Sequence, residues 1–189
     1  MIRAMVTSAI ALGLMLPDHS RSEPSTQSPG QSERAPAETA QFGQLVGNWR
    51  IRDYGLDAEG NWQEGNGADW NFYWILDGTA IQDDWIAPSL DTEAPPQGRQ
   101  YGTNIRIYNP AEKRWEMAWM ANTGAKVDTF TAVMEDGALV MRGDYTGKPT
   151  RIQFFDITAQ RFSWKMEQQT DSEWKTVYRI EAIRVDDAD

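Results

Sequence analysis

The chain has no cysteine and one histidine, His19, in 189 residues. The lack of cysteine rules out disulfides, thiolate nucleophiles, a lipid-bearing thiol and sulfur ligands for a metal. His19 lies in a segment expected to be removed, so the mature chain lacks the imidazole base of Ser-His-Asp and Cys-His mechanisms. Zinc, copper and non-haem iron sites lose their usual ligands for the same reason, and no metal site or cofactor is expected. Carboxylates could still hold calcium or magnesium. However, the one calcium-loop imitation, Asp57-Ala-Glu59-Gly-Asn61, has no glycine at its sixth position and no flanking helices, and reads as a polar hairpin turn. Basic residues are also in deficit, 18 against 28 acidic, for a net charge of −10. Nucleic-acid phosphates and anionic membrane surfaces would repel such a chain, so neither is an expected partner.

Long apolar runs are missing too. The one candidate, Ala4 to Leu16 behind Arg3, is too short for a stable bilayer span. With Ser20-Arg21-Ser22 as a small-X-small cleavage site, residues 1–22 read as a signal peptide, and a periplasmic or secreted location follows. Residues 23–41 are rich in Ser, Pro, Gln, Glu and Gly with little to bury, and read as a disordered linker. The folded domain is expected over residues 42–189, and it must stand on its core alone.

Aromatic residues are abundant, with nine Trp, six Tyr and six Phe, all between Phe42 and Tyr178. No helical stripe of useful length occurs in that stretch. Period-two alternation recurs instead, broken by turn signals every 8 to 14 residues or so, as in antiparallel sandwiches and barrels. About ten strands are expected, joined almost throughout by short hairpins. That connectivity favours an all-β, up-and-down barrel of about eight to ten strands. Gly65-Asn-Gly67 opens no helix and so is no phosphate cradle; it reads as a bulge or barrel corner. Thr39 is a possible cap for a helical turn over Ala40 to Gln44, which would plug one barrel end with Phe42.

The hairpin Trp70 to Trp85 carries the strongest signal. A two-residue turn at Asp77-Gly78 pairs Leu76 with Thr79, Trp74 with Ile81, Phe72 with Asp83 and Trp70 with Trp85. One face is then an aromatic wall with a single acid, and the other, with Asn71, Tyr73, Gln82 and Asp84, suits water. Around Asp136-Gly137, Met134 faces Leu139, Ala132 faces Met141, Phe130 faces Gly143 and Asp128 faces Tyr145. Around Thr170-Asp171, Gln168 meets Trp174, Met166 meets Thr176, Trp164 meets Tyr178 and Phe162 meets Ile180. Around Asn109-Pro110, pairing Tyr108 with Trp115 sets Arg106 against Met117 and Asn104 against Trp119, with Arg106 inside. A one-residue slip would turn Ile105 and Ile107 inward instead.

Gly47-Asn48-Trp49 resembles the Gly-X-Trp signature of lipocalins and the wider calycin group, whose tryptophan closes the barrel floor. Arg106-Ile-Tyr108-Asn-Pro110, Trp115, Trp119, Phe162-Ser-Trp164, Asp171, Trp174 and Arg184 look like a family of small bacterial calycin-like proteins of undefined function. The likeness spans Phe42 to Val185. It implies a barrel around a ligand-sized interior, and no particular activity. The haem-binding nitrobindin branch of these barrels uses a proximal histidine, which this chain lacks after His19, so haem is not expected.

The pairings leave Asp83, Asp128, Tyr145, Tyr178 and Arg106 as polar groups in an aromatic interior. A buried carboxylate and Arg106 could simply bridge strands, since buried charge is costly unless paired. Alternatively, Arg106 and the polar groups could orient a ligand whose apolar body lies on Trp70, Trp74, Trp85, Trp119 and Trp164. A third arrangement uses Asp83 or Asp128 with Tyr145 or Tyr178 as the acid-base pair of a cofactor-independent lyase, isomerase or hydratase. A fourth has the indoles fill the barrel and the outside bind a partner. Binding of a small apolar or aromatic molecule is the first expectation, and the volume of the interior decides between a filled and a ligand-binding barrel.

Overall fold

The computed structural model describes residues 30–185. The signal peptide expected over residues 1–22 lies outside them. A 3₁₀ turn, Ala37–Thr39, runs into a one-turn helix, α1 (Ala40–Gly43), and every later element is a strand. These are β1 (Gly47–Leu56), β2 (Trp62–Glu64), β3 (Ala68–Ile75), β4 (Ala80–Ala87), β5 (Gln100–Asn109) and β6 (Arg114–Ala121). They continue as β7 (Asp128–Glu135), β8 (Ala138–Tyr145), β9 (Lys148–Phe155), β10 (Arg161–Thr170) and β11 (Glu173–Val185). Each strand from β3 onward pairs with its successor, β1 pairs with β3, and β11 returns to β1, closing an antiparallel barrel of ten strands. The eleventh, β2, pairs only with the outer end of β1. Among the described residues no helix is long and apolar enough to cross a membrane.

Alternation sets the inside. In β3 and β4 the pairs are Trp70 with Trp85, Phe72 with Asp83 and Trp74 with Ile81, as the sequence pattern predicts. The turn is longer than two residues: Leu76, Asp77 and Gly78 all have positive φ, so Leu76 leaves the wall and is exposed. Gly65-Asn-Gly67, read in the sequence as a bulge or barrel corner, separates β2 from β3. At this corner the Gly65 amide donates to the Asp53 carbonyl (2.8 Å) and the Gly67 amide to Asp53 Oδ1 (2.8 Å). Gly67 has a φ of +70°, and a Cβ there would lie 2.8 Å from the Ile51 carbonyl oxygen, so glycine alone suits the position.

In β5 and β6, Tyr108 pairs with Trp115, Arg106 with Met117 and Asn104 with Trp119. Arg106 is inside, and Ile105 and Ile107 are exposed on the outer face. The β7–β8 register also runs as expected, Phe130 opposite Gly143 and Met134 opposite Leu139. The last hairpin differs. Its turn is Asp171-Ser172, one residue later than the sequence suggests, and a bulge lies between Met166 and Glu167 in the ladder. The two shifts add to two residues, so Trp164 opposes Ile180 and Met166 opposes Tyr178. A two-residue shift preserves the face, so Phe162, Trp164, Met166, Tyr178 and Ile180 keep the expected side. Between the bulge and the turn the register is offset by one: Gln168 opposes Lys175, Thr176 opposes the buried Glu167, and Trp174 opposes Gln169 and is exposed.

One end of the barrel is sealed. Phe42 on α1 meets Trp115 and Phe154 edge-on with ring centroids 4.9 and 5.6 Å apart. Beside it, the Trp49 indole donates to the Leu45 carbonyl (2.7 Å), and the Arg184 guanidinium lies over its ring at 4.2 Å. Gly47 is where this packing needs glycine: φ is +131° and a Cβ would stand 2.0 Å from Arg184 Nη1. Thr39 does not cap α1. The preceding turn already places it at helical φ and ψ, so its hydroxyl donates back to the Pro36 carbonyl (2.7 Å) and accepts from Gln31 Nε2 (2.8 Å). Residues 30–36, read in the sequence as part of a linker, lie along the β3–β4 turn, with the Ser32 amide donating to the Gly78 carbonyl (3.0 Å).

Candidate functional site

Above the sealed end the inward side chains of the ten strands leave a cavity of about 270 Å³. Its deep end is polar. Asp83 on β4 stands between Phe72 on β3 and Asn104 on β5, its direct cross-strand neighbours. Arg106, two residues further along β5, points to the same face, and its Nη2 forms an ion pair with Asp83 Oδ2. The two side chains are 0% and 1% exposed, so neither charge meets solvent. The guanidinium carbon also lies 5.0 Å from the Phe42 ring and 5.2 Å from the Phe72 ring, held between two π faces.

Burial pushes the Asp83 carboxyl above the usual carboxylate range. The Arg106 charge opposes that rise, and the Trp70 indole N–H and the Asn104 backbone N–H also favour the ionised form, though neither is aligned as a hydrogen bond. Asp83 Oδ1, Asn104 Oδ1, Trp70 Nε1 and Arg106 Nε have no hydrogen-bond partner among the described residues.

The walls are apolar. Phe130, Met141, Ile152, Phe154, Trp164 and Ile180 line the middle of the cavity, with Trp70 meeting Trp85 edge-on at 5.3 Å. The half-buried Gln100, Trp119, Tyr145, Met166 and Tyr178 form the rim. There the Trp85 indole donates to Gln100 Oε1 (3.1 Å), and Gln100 Nε2 in turn donates to Thr123 Oγ1 (3.0 Å). The Trp119 indole lies across Gly102, where a Cβ would stand 2.2 Å from the ring. The Tyr178 hydroxyl donates to Asp53 Oδ2 at 2.5 Å. Burial, followed by the Asp53 carboxylate, raises the Tyr178 phenol well above its ordinary value. Tyr145 is also raised, first by burial and then by the charge of Asp128.

Of the residues singled out in the sequence, Asp83, Arg106, Trp70, Trp85, Trp119, Trp164, Tyr145 and Tyr178 all line this one cavity. Two do not. Trp74 belongs to the sealed end, against Gly43 of α1. Asp128 sits beyond the last β7–β8 ladder pair and takes Lys126 as its partner (2.6 Å). Neither tyrosine bonds to Asp83; the carboxylate that Tyr178 reaches is Asp53, which the pairing of neighbouring strands does not single out. Its parity with Trp49 and Ile51 in β1 was the available signal. Asn104 likewise follows from the register that turns Arg106 inward. Among the described residues no cluster of three or more His, Asp or Glu side chains could hold a metal ion.

No known protein family matches the chain by sequence, and no curated protein is similar to it. Solved structures are similar in shape. One is the S-type phycobiliprotein lyase CpeS from Guillardia theta, with a TM-score of 0.53, 15% identity, and coverage of 79% of this chain and 93% of that one. Another is Rv2717c from M. tuberculosis, with a TM-score of 0.55, 13% identity, and coverage of 80% and 99%. At this identity the likeness is one of fold, consistent with a calycin-like barrel.

Proposed function

We propose that this protein is an exported, lipocalin-like carrier that takes a small aromatic or apolar molecule into the barrel interior. The observation behind this reading is the cavity of about 270 Å³, walled by indole, phenyl and thioether groups and polar only at its floor and rim. A barrel whose tryptophans interlocked would leave no such space, which speaks against a purely structural interior. A mainly apolar lining with a few convergent polar groups is typical of small-molecule sites, and the volume lies just under their usual range of about 300–1,000 Å³, which suits a small ligand. A solved structure of similar fold is described as a phycobiliprotein lyase, and a small ligand in the barrel is in keeping with that description. Export rests on the Arg3, Ala4 to Leu16 and Ser20-Arg21-Ser22 pattern.

Native mass spectrometry of the protein purified from its own host tests this reading. A co-purified molecule of low mass, released on unfolding, is the expected result. If no such molecule appears and a hydrophobic panel leaves the tryptophan emission unchanged, the interior is not a binding site.

An acid-base reaction in the cavity has one observation in its favour, the Tyr178 hydroxyl on Asp53 at 2.5 Å. The raised pKa keeps that phenol protonated at neutral pH but makes it a weaker acid than a free tyrosine, so the contact holds a proton in place and is not tuned to release it. Asp83, bound to Arg106, is less suited to the base role assigned to it from the sequence.

A further inference from the structure

Four polar atoms of the cavity floor, Asp83 Oδ1, Asn104 Oδ1, Trp70 Nε1 and Arg106 Nε, have almost no accessible surface, and the Trp70 N–H acts on the Asp83 carboxylate. They are closed to anything that enters. The wall above them is different. Trp164 on β10 is nine-tenths buried and lines the middle of the cavity. Its indole N–H has no hydrogen-bond partner among the described residues, yet it is not one of the atoms shut off from contact.

Buried indoles ordinarily find an acceptor. In this barrel the Trp49 N–H has the Leu45 carbonyl, Trp85 has Gln100 Oε1 and Trp115 has Gln41 Oε1. Trp164 has none. At the rim the Trp119 N–H and the Tyr145 hydroxyl are in the same state, open to contact and bonded to no described residue. The Tyr145 ring faces the Lys126 ammonium at 6.0 Å, which leaves its hydroxyl free.

An indole N–H can only donate, so what this part of the wall lacks is an acceptor. The acceptors around the mouth are already engaged. Asp53 takes the Tyr178 hydroxyl and the Gly67 amide, Asp128 takes Lys126, and Gln100 Oε1 takes Trp85. A guest bearing oxygen would supply what is missing, whereas a hydrocarbon would leave the Trp164 donor unmet inside an apolar enclosure.

We propose that the cavity selects a flat aromatic carbonyl compound, seated with its oxygen toward the donors of Trp164, Trp119 and Tyr145. This rests on the binding reading above and specifies the ligand class and the residues that hold it. The aromatic walls suit a flat body. A cavity of about 150 Å³ is enough for benzene, so one of about 270 Å³ suits two fused rings.

The test is calorimetric titration of the purified protein with three two-ring probes: chromone, which carries acceptors only, indole, which carries one donor, and naphthalene, which carries neither. Chromone is expected to bind at least about tenfold more tightly than the other two, as two hydrogen bonds made in an apolar site imply. Trp164→Phe and Tyr145→Phe each keep a ring and remove a donor, and each should narrow the gap between chromone and naphthalene by about threefold or more. Tyr145 is half-buried, so its variant carries the comparison if Trp164→Phe does not fold. Trp70→Phe removes the closed N–H at the floor and should leave the gap within about twofold. Equal affinity for chromone and naphthalene would overturn the proposed ligand class while leaving the binding reading standing. So would a gap that is lost in Trp70→Phe and kept in the other two variants. No uptake of any probe by the folded protein would overturn both.

Discussion

Asp83 and Arg106 form an ion pair in the barrel interior, on adjacent strands and shut off from solvent by Phe42 on one side and Phe72 on another. Breaking such a pair from one side leaves a buried charge without compensation. Asp83→Ala or Arg106→Ala should therefore each destabilise the fold by about 3–5 kcal/mol, whereas Asp83→Leu combined with Arg106→Met should cost far less than the sum. Urea unfolding of the two singles and the double provides the cycle. Additive losses would show that the pair is not coupled.

The phenols give a pH signature. Tyr178 is held above its ordinary pKa by burial and by Asp53, and Tyr73 is pushed up to about 12 by burial and by Asp84. In both cases the folded form keeps its proton after the unfolded form has lost it. Their contribution to stability is complete below the ordinary phenol value of about 10 and falls as the pH rises through it. Unfolding midpoints measured from neutral pH to strongly alkaline pH should decline, and Tyr178→Phe should flatten the alkaline slope. An unchanged slope in that variant would separate Tyr178 from the effect.

Trp74, opposite Ile81, and Trp85, opposite Trp70, belong to the same hairpin wall yet serve opposite ends. Trp85 lines the cavity, and Trp74 packs on Gly43 of α1. Trp85→Ala should weaken binding of an aromatic probe by tenfold or more, on the order of the 1–3 kcal/mol lost with a stacked or buried ring. Trp74→Phe should leave probe affinity within about twofold and lower the melting temperature instead. Parallel calorimetry and thermal melts of the two variants distinguish them.

Gly65 approaches Asp53 so closely that a Cβ would stand 2.2 Å from the carboxylate. Gly65→Ala should push that carboxylate away from the Tyr178 hydroxyl. The change should appear in the ultraviolet titration of the tyrosines, with one phenol moving down toward its ordinary value. A tyrosine titration identical to that of the parent would mean the carboxylate had not moved.

Much of this interior is legible in the sequence because hairpins carry their own ruler. Once the turn is located, strict alternation fixes which side chains share a face, and that logic places Asp83, Arg106, Trp70 and Trp164 together. Compensating slips protect it in the β10–β11 hairpin, where a later turn and a bulge cancel in parity. Closure is harder to read. Asp53 meets Tyr178 across 125 residues, through the pairing of β1 with β11, and no local pattern announces that contact. Trp74 is misplaced for a related reason, since alternation gives the face of a strand but not the depth along it. Leu76 leaves the aromatic wall because three successive residues at the turn adopt positive φ.

The seam between β1 and β11 also orders events in time. These strands share one ladder from Asn48–Val185 to Gly55–Tyr178, and the rim of the cavity, including the Tyr178–Asp53 contact, exists only when that ladder is formed. A chain emerging from the ribosome has every other hairpin available before its last strand, but no enclosed interior. Long-range closure of this kind makes for slow folding. Until β11 pairs with β1 the interior lies open along this seam, so the cavity is enclosed only after the last strand has been made.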